Sequence, residues 1–166
     1  TWHVRCRERG AVLRKHAVNL SSPEAFVEDF WSAVTPATRV IFISHITSPT
    51  AVIFPVAEIC RRARAAGILT IVDGAHAPGQ VQLDLRALDA DIYVGACHKW
   101  LCSAKGASFL HARPGVQTWL RPLVYSWGWG DDVYEAQNGM GETDFIRWHQ
   151  WQGTRDLAAF LTVPAA

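Results

Sequence analysis

The sequence predicts an α/β fold, a mostly parallel sheet covered by helices, on three observations. From Arg39 to about Leu110, short β-rich runs alternate with stretches of helical spacing. The first run, Arg39-Val40-Ile41-Phe42-Ile43-Ser44, is continuously apolar with β-branched residues, the pattern of a strand buried on both faces. A helix-length segment separates it from a second such run, Ile68-Leu69-Thr70-Ile71-Val72, and strand–helix–strand material of this kind builds parallel pairs.

In chain order, the first element is an amphipathic helix over Pro23 to Val34, with Ser21 or Ser22 as N-cap and Glu24 in the first turn. After the first strand, Pro55 to Ala66 places Val56, Ile59, Cys60 and Ala63 on one helical face. Arg61, Arg62 and Arg64 fall on the other, expected to be solvated. Pro55 suits the start of that helix and Gly67 its end. Third and fourth strands are expected at Asp91–Gly95 and Ala107–His111. Residues 113–153 hold six glycines and five of the eight tryptophans and read as long loops rather than a separate domain.

At 166 residues the chain is the size of one domain, and a formal net charge of +1 with dispersed basic residues gives no footprint for nucleic acid or an acidic membrane. No apolar run approaches the roughly 18 residues of a membrane span. Cys6, Cys60, Cys97 and Cys102 form no CxxC pair and are expected to be free thiols, which favours the cytoplasm. The chain has no initiator Met, its single methionine is Met140, and an apolar, helix-like run precedes its end, so both ends read as cut.

Ligands of open parallel sheets bind outside the carboxyl ends of the strands. Here the first strand delivers Ser44, His45, Thr47 and Ser48 to that edge, the second Asp73 and His76, and the third Cys97, His98 and Lys99. Asp73 alone reads equally as a turn or cap residue or as a carboxylate set against a cation. Against a pyridinium nitrogen it would keep the ring protonated and electron-withdrawing. Lys99, flanked by Trp100 and Leu101, would act as an amine nucleophile if partly desolvated.

Val72-Asp73-Gly74-Ala75-His76-Ala77-Pro78-Gly79, then His98-Lys99-Trp100-Leu101, then Gly153-Thr154-Arg155-Asp156, together and in that order, resemble the class V aminotransferase family of fold-type I pyridoxal 5′-phosphate (PLP) enzymes. The Asp-Gly-Ala-His and His-Lys-Trp versions are most similar to its isopenicillin N epimerase-like branch, beside the cysteine desulfurase-like one. The resemblance implies the central part of a PLP-binding large domain, with Lys99 holding the cofactor as a Schiff base and moving protons. It further implies Asp73 at the pyridinium nitrogen, His76 at the phenolic oxygen, His98 at the phosphate and Ser48 near the ring. Thr154 takes the position that reaches the phosphate of a partner subunit's cofactor, so a homodimer acting on a small amino substrate is expected.

One departure is Ala96, where relatives carry a polar phosphate-binding residue three before the lysine. The upstream phosphate loop, the ring-stacking residue and the small C-terminal domain are not in the sequence either, so residues 1–166 are expected to be a fragment of a protein more than twice as long. Epimerisation, C–S lysis and transamination all begin with loss of the α-proton, and the sequence does not choose among them. Cys97 and Cys102 are too closely tied to Lys99 to serve as the mobile cysteine of a desulfurase. Two rivals stand: a truncated or degenerate non-catalytic relative, and a metal-dependent hydrolase using Asp73, His76, Cys97, His98 and Cys102. The second matches no standard zinc spacing and leaves Lys99 unexplained.

Overall fold

The computed structural model describes residues 1–126, 128–129 and 143–166. Gly130, Gly139, Met140 and Gly141, within the stretch expected to be loops, lie outside the described residues. The chain divides into two compact units, Thr1–Thr38 and Arg39–Ala166.

The first unit carries helices α1 (Trp2–Glu8) and α2 (Pro23–Ser32). Ser22 caps α2, its side chain accepting from the Ala25 N–H at 3.1 Å, and Pro23 follows at the first helical position. Phe26 and Val27 are buried, and Phe26 stacks on Phe30 one turn later.

In the second unit, β1 (Val40–Ser44), β2 (Leu69–Asp73), β3 (Ile92–Ala96) and β4 (Ser108–Ala112) form one sheet in the order β1-β2-β3-β4. The first three strands are parallel, with Ser44 opposite Asp73 and Asp73 opposite Val94, so their carboxyl ends share one edge. The last strand runs antiparallel to β3, pairing Ala96 with Ser108. Mostly parallel order is what the alternating pattern predicted. The reversal follows from the short link between β3 and β4, eleven residues from 97 to 107, where a parallel crossover needs a dozen or more.

Helix α3 (Val56–Ala65) connects β1 to β2 and packs on both. Val56, Ile59, Cys60 and Ala63, the face read from spacing, are all buried. Gly67 follows the helix at φ +68, the left-handed conformation that ends helices with glycine. The arginine face is not wholly solvated: Arg64 donates to the Asp89 carbonyl at 2.6 Å and pairs with its carboxylate. Another cluster joins Ile92, Ala112 and Val116 to Leu69, Ile71, Leu120 and Phe145.

Two expectations are corrected. The first strand is not buried on both faces: its residues alternate, with Ile41 and Ile43 buried but Val40 and Phe42 42% and 48% exposed. It ends the strand order, and apolar residues on both faces conceal this period of two. Residues 113–153 are not loops throughout, because α5 (Pro114–Gln117) and α6 (Asp144–Gln150) lie there. The second begins at Thr143, whose side chain accepts from the Ile146 N–H at 3.3 Å. A short α4 (Leu85–Leu88) precedes β3, while α7 (Ala158–Leu161) and a 3₁₀ turn (Val163–Ala165) complete the elements.

Opposite the carboxyl edge, Asp91 locks β2, β3 and β4 together. Its buried carboxylate accepts from the Thr70 N–H at 2.7 Å and the Thr70 hydroxyl at 3.1 Å, and pairs with Arg113. All four cysteines are free thiols, and no helix among the described residues is long and apolar enough to cross a membrane.

Candidate active site

The turn leaving β2 and the loop between β3 and β4 meet at the carboxyl edge. Asp73 closes its strand, and the ladder runs one residue further through His45 N–H to the Asp73 carbonyl and Gly74 N–H to the Val94 carbonyl, both 2.8 Å. Oδ1 of Asp73 accepts from the Ala75 N–H at 3.0 Å, so the turn reading of this residue is realised for one oxygen. Oδ2 accepts from no group among the described residues, which leaves it available to a cation.

The lysine loop is pinned at its base. Cys97 N–H donates to the Ala107 carbonyl at 3.1 Å, and Ser103 N–H to the Cys97 carbonyl at 3.0 Å. A tight turn lies inside, the Cys102 N–H reaching the Lys99 carbonyl at 3.1 Å with Cys102 at φ +62. Lys99 is thereby projected over the neighbouring turn, where its Nζ lies 3.1 Å from His76 Nε2. The Trp100 indole N–H donates to His76 Nδ1 at 3.2 Å. Gly79, at φ +83, closes the contact from below: a Cβ there would sit 2.5 Å from Trp100 C and 2.7 Å from Leu101 N.

Behind Asp73 lies a buried pair of which sequence reasoning named only His45, at the carboxyl edge. Tyr93 is fully buried on β3, and its hydroxyl meets His45 Nδ1 at 2.9 Å. Burial, and after it the charge of Asp73, pushes the phenol well above its ordinary range. Burial likewise lowers His45, favouring the neutral imidazole. The signal was present as a tyrosine within an otherwise apolar strand, whose hydroxyl requires a partner when buried. Trp100 was read as an apolar flank and a motif residue, and its indole N–H was missed.

The site thus brings together Lys99 and His76, with Asp73 three residues earlier on the same turn. His98 Nδ1 lies 3.2 Å from the Ala107 carbonyl, and among the described residues no hydrogen bond joins His98 to Lys99 or His76. Ser48 and Thr154 are exposed, and among the described residues no hydrogen bond joins either to Asp73, His76 or Lys99. Nor do three His, Cys, Asp or Glu side chains come together among the described residues as a metal-ligand group. The donor set fits PLP: an amine for an aldehyde, an available carboxylate oxygen for a ring nitrogen, and an imidazole for a phenolic oxygen.

Comparison with known proteins agrees. The model of the family described as aminotransferase class V matches residues 1–165. The chain is 41% identical to the isopenicillin N epimerase of Amycolatopsis lactamdurans over 99% of its own length and 43% of that protein. It is 40% identical to the isopenicillin N epimerase of Streptomyces clavuligerus over 96% of its length and 43% of the relative's. A cysteine desulfurase crystal structure from Escherichia coli matches with a TM-score of 0.80 at 20% identity, over 99% of this chain and 40% of that one. The chain spans less than half the length of these relatives. Family model, relatives and fold agree: the chain belongs to the class V aminotransferase family, a family of PLP-dependent enzymes.

Proposed function

We propose that this chain forms the lysine-bearing part of the active site of a PLP-dependent enzyme acting on an amino acid or aminated small molecule. The observation that carries this reading is Lys99 Nζ held 3.1 Å from His76 Nε2 above the turn that begins with Asp73. When bound, PLP supplies an electron sink that stabilises negative charge at the substrate α-carbon. Lys99 holds the cofactor and then takes and returns the α-proton at Nζ. Asp73 Oδ2 pairs with the ring nitrogen and keeps it protonated. His76 orients the phenolic oxygen, His98 serves the phosphate, and Ser48 sits near the ring.

Thr154 is exposed on this chain and is read as reaching the phosphate of a second subunit's cofactor, within a homodimer. The four free thiols favour the cytoplasm as its place of work. Among the reactions open to such a site we favour epimerisation, because 41% and 40% identity link the chain to isopenicillin N epimerases.

Borohydride reduction of the complete protein with PLP, followed by peptide mapping, tests the assignment. The cofactor is expected on Lys99 and on neither Lys15 nor Lys105, and Lys99→Ala should abolish it. Exchange of substrate α-protons with D₂O across a panel of amino acids should be lost in the same variant. A label on Lys105, or exchange that survives Lys99→Ala, would overturn the reading.

A further inference from the structure

We propose that His45 and Tyr93 are positioning residues: their buried hydrogen bond straps the underside of the Asp73–Gly74 turn and holds Asp73 at the sheet edge. Side chains alternate along a strand, and paired residues of neighbouring strands share a face. Ser44, Asp73 and Val94 stand opposite one another, so the Asp73 carboxylate projects to their face. Ile43, Val72 and Tyr93 are likewise opposed and project to the other. His45 follows Ser44 and Gly74 follows Asp73, which brings both to that second face. Gly74 presents no side chain there, and a Cβ would collide with the phenol end of Tyr93. Tyr93 therefore reaches from β3 under the end of β2 to His45, just past β1, where its hydroxyl lies 2.9 Å from Nδ1.

Further contacts fix this strap. The His45 and Tyr93 rings meet edge to face, with centroids 6.0 Å apart and planes at 90°. Tyr93 also stacks on Phe109 of β4, at 6.2 Å and 7° between planes. Phe109 gains its place as Tyr93 does, since a Cβ at Gly95 would collide with its ring. Two glycines thus vacate space for an aromatic row that runs below the site from the end of β1 to β4. The His45 main chain is anchored as well: its N–H donates to the Asp73 carbonyl at 2.8 Å, and its carbonyl accepts from the Phe54 N–H at 2.9 Å. His45 therefore holds Asp73 by its backbone and braces Gly74 through its ring. Burial keeps the row uncharged, pushing the phenol up and the imidazole down, so no charge from it competes with a ligand cation for Asp73.

The strap stands on these contacts; its consequence for catalysis rests on Asp73 pairing with the PLP ring nitrogen. The test begins with the complete protein freed of PLP, as wild type, Tyr93→Phe, His45→Leu and the double variant. Hydrogen exchange resolved to single amides compares Gly74 and Ala75, in the turn, with Leu69 and Arg113, at the opposite end of the sheet. Gly74 N–H donates to the Val94 carbonyl and Ala75 N–H to Asp73 Oδ1, whereas Leu69 and Arg113 donate to the Arg39 and Asp91 carbonyls. The turn amides should exchange about tenfold faster in either single variant, the weight of one hydrogen bond, while the other two hold. The double variant should exchange no faster than a single one, because both changes remove the same contact. With PLP restored, Tyr93→Phe should slow α-proton exchange about tenfold while borohydride still traps the cofactor on Lys99.

Unchanged turn amides would overturn the proposal, and so would equal acceleration of all four, which marks a pair that supports the sheet alone. Additive effects in the double variant would also overturn it, as would wild-type α-proton exchange from a Tyr93→Phe protein whose turn has loosened. Failure of the PLP reading would show separately: the turn amides would respond as expected while borohydride left Lys99 unlabelled in the wild type.

Discussion

Gly79→Ala should damage the site out of proportion to its size. The residue sits at φ +83, where an alanine costs about 1–2 kcal/mol on backbone grounds alone. Its new Cβ would also lie 2.5 Å from Trp100 C and 2.7 Å from Leu101 N, against ordinary contact from 3.4 Å. Both obstacles are backbone, so no side chain can rotate away. The turn and the lysine loop must separate by about 1 Å to clear the Trp100 carbonyl, which adds the ~1–3 kcal/mol typical of overpacking. The same movement carries the 3.1 Å Lys99–His76 and 3.2 Å Trp100–His76 contacts beyond hydrogen-bond range. A misplacement of about 1 Å at a reacting centre can cost on the order of 10²-fold in rate.

Gly67→Ala supplies the control. That glycine has φ +68 and nothing within 4 Å of its would-be Cβ, so it suffers the backbone cost without the collision. Urea unfolding should show Gly79→Ala destabilised by about 2–5 kcal/mol and Gly67→Ala by only ~1–2. Solvent exchange of the substrate α-proton should fall by about a hundredfold in the first variant and hold in the second. Equal behaviour of the two in both assays would refute the role assigned to the Gly79 contact.

Asp73→Asn should slow α-proton exchange by about 10²–10⁴-fold while weakening PLP binding far less, as read from steady-state exchange and cofactor titration; wild-type exchange would leave Asp73 a turn residue only. Asp91→Ala, which leaves the buried Thr70 N–H without its acceptor, should cost about 1–3 kcal/mol in urea unfolding without changing where PLP attaches. Burial lowers His45 from its ordinary 6.5, so the unfolded chain binds a proton that the folded chain refuses. Stability should be full above about 6.5 and fall as pH drops from there toward the lowered folded value, with His45→Gln flattening that slope in pH-dependent unfolding curves.

The sheet and its principal helix were legible because their signals are local. Four apolar runs became strands within a residue or so of their expected bounds, and the α3 face followed directly from the 3.6-residue period. The candidate site was legible as an edge, since parallel strands must deliver their carboxyl ends together. Other features leave no local trace. Val40 and Phe42 are apolar whether covered or not, so the exposed face of β1 could not be read. Helix α6 begins at a capping Thr143 followed by Asp144, a start signal overlooked in a stretch dense with glycine and tryptophan. The strand β4 reads alike in either direction, and only the short link before it told the difference.

The Asp-Gly step of the motif shows why the rest needed three dimensions. Read along the chain, Gly74 is a turn residue beside a functional aspartate. In the fold, a Cβ at Gly74 would collide with the phenol end of Tyr93, which lies 19 residues away in sequence and is fully buried. Tyr93 holds its place through His45, 48 residues away, and by stacking on Phe109 at 6.2 Å. Gly74 is therefore required by the tyrosine as much as by the turn, and the tyrosine in turn backs the carboxylate of Asp73. Single-sequence periodicity pairs residues that share one element, whereas this support is assembled from the ends of three strands. Trp100 and His76 follow the same rule, 24 residues apart and joined only when two loops meet. Chemistry-bearing residues could be placed at one edge from the sequence, but the groups that hold them there belong to other elements and become visible only once those elements are packed.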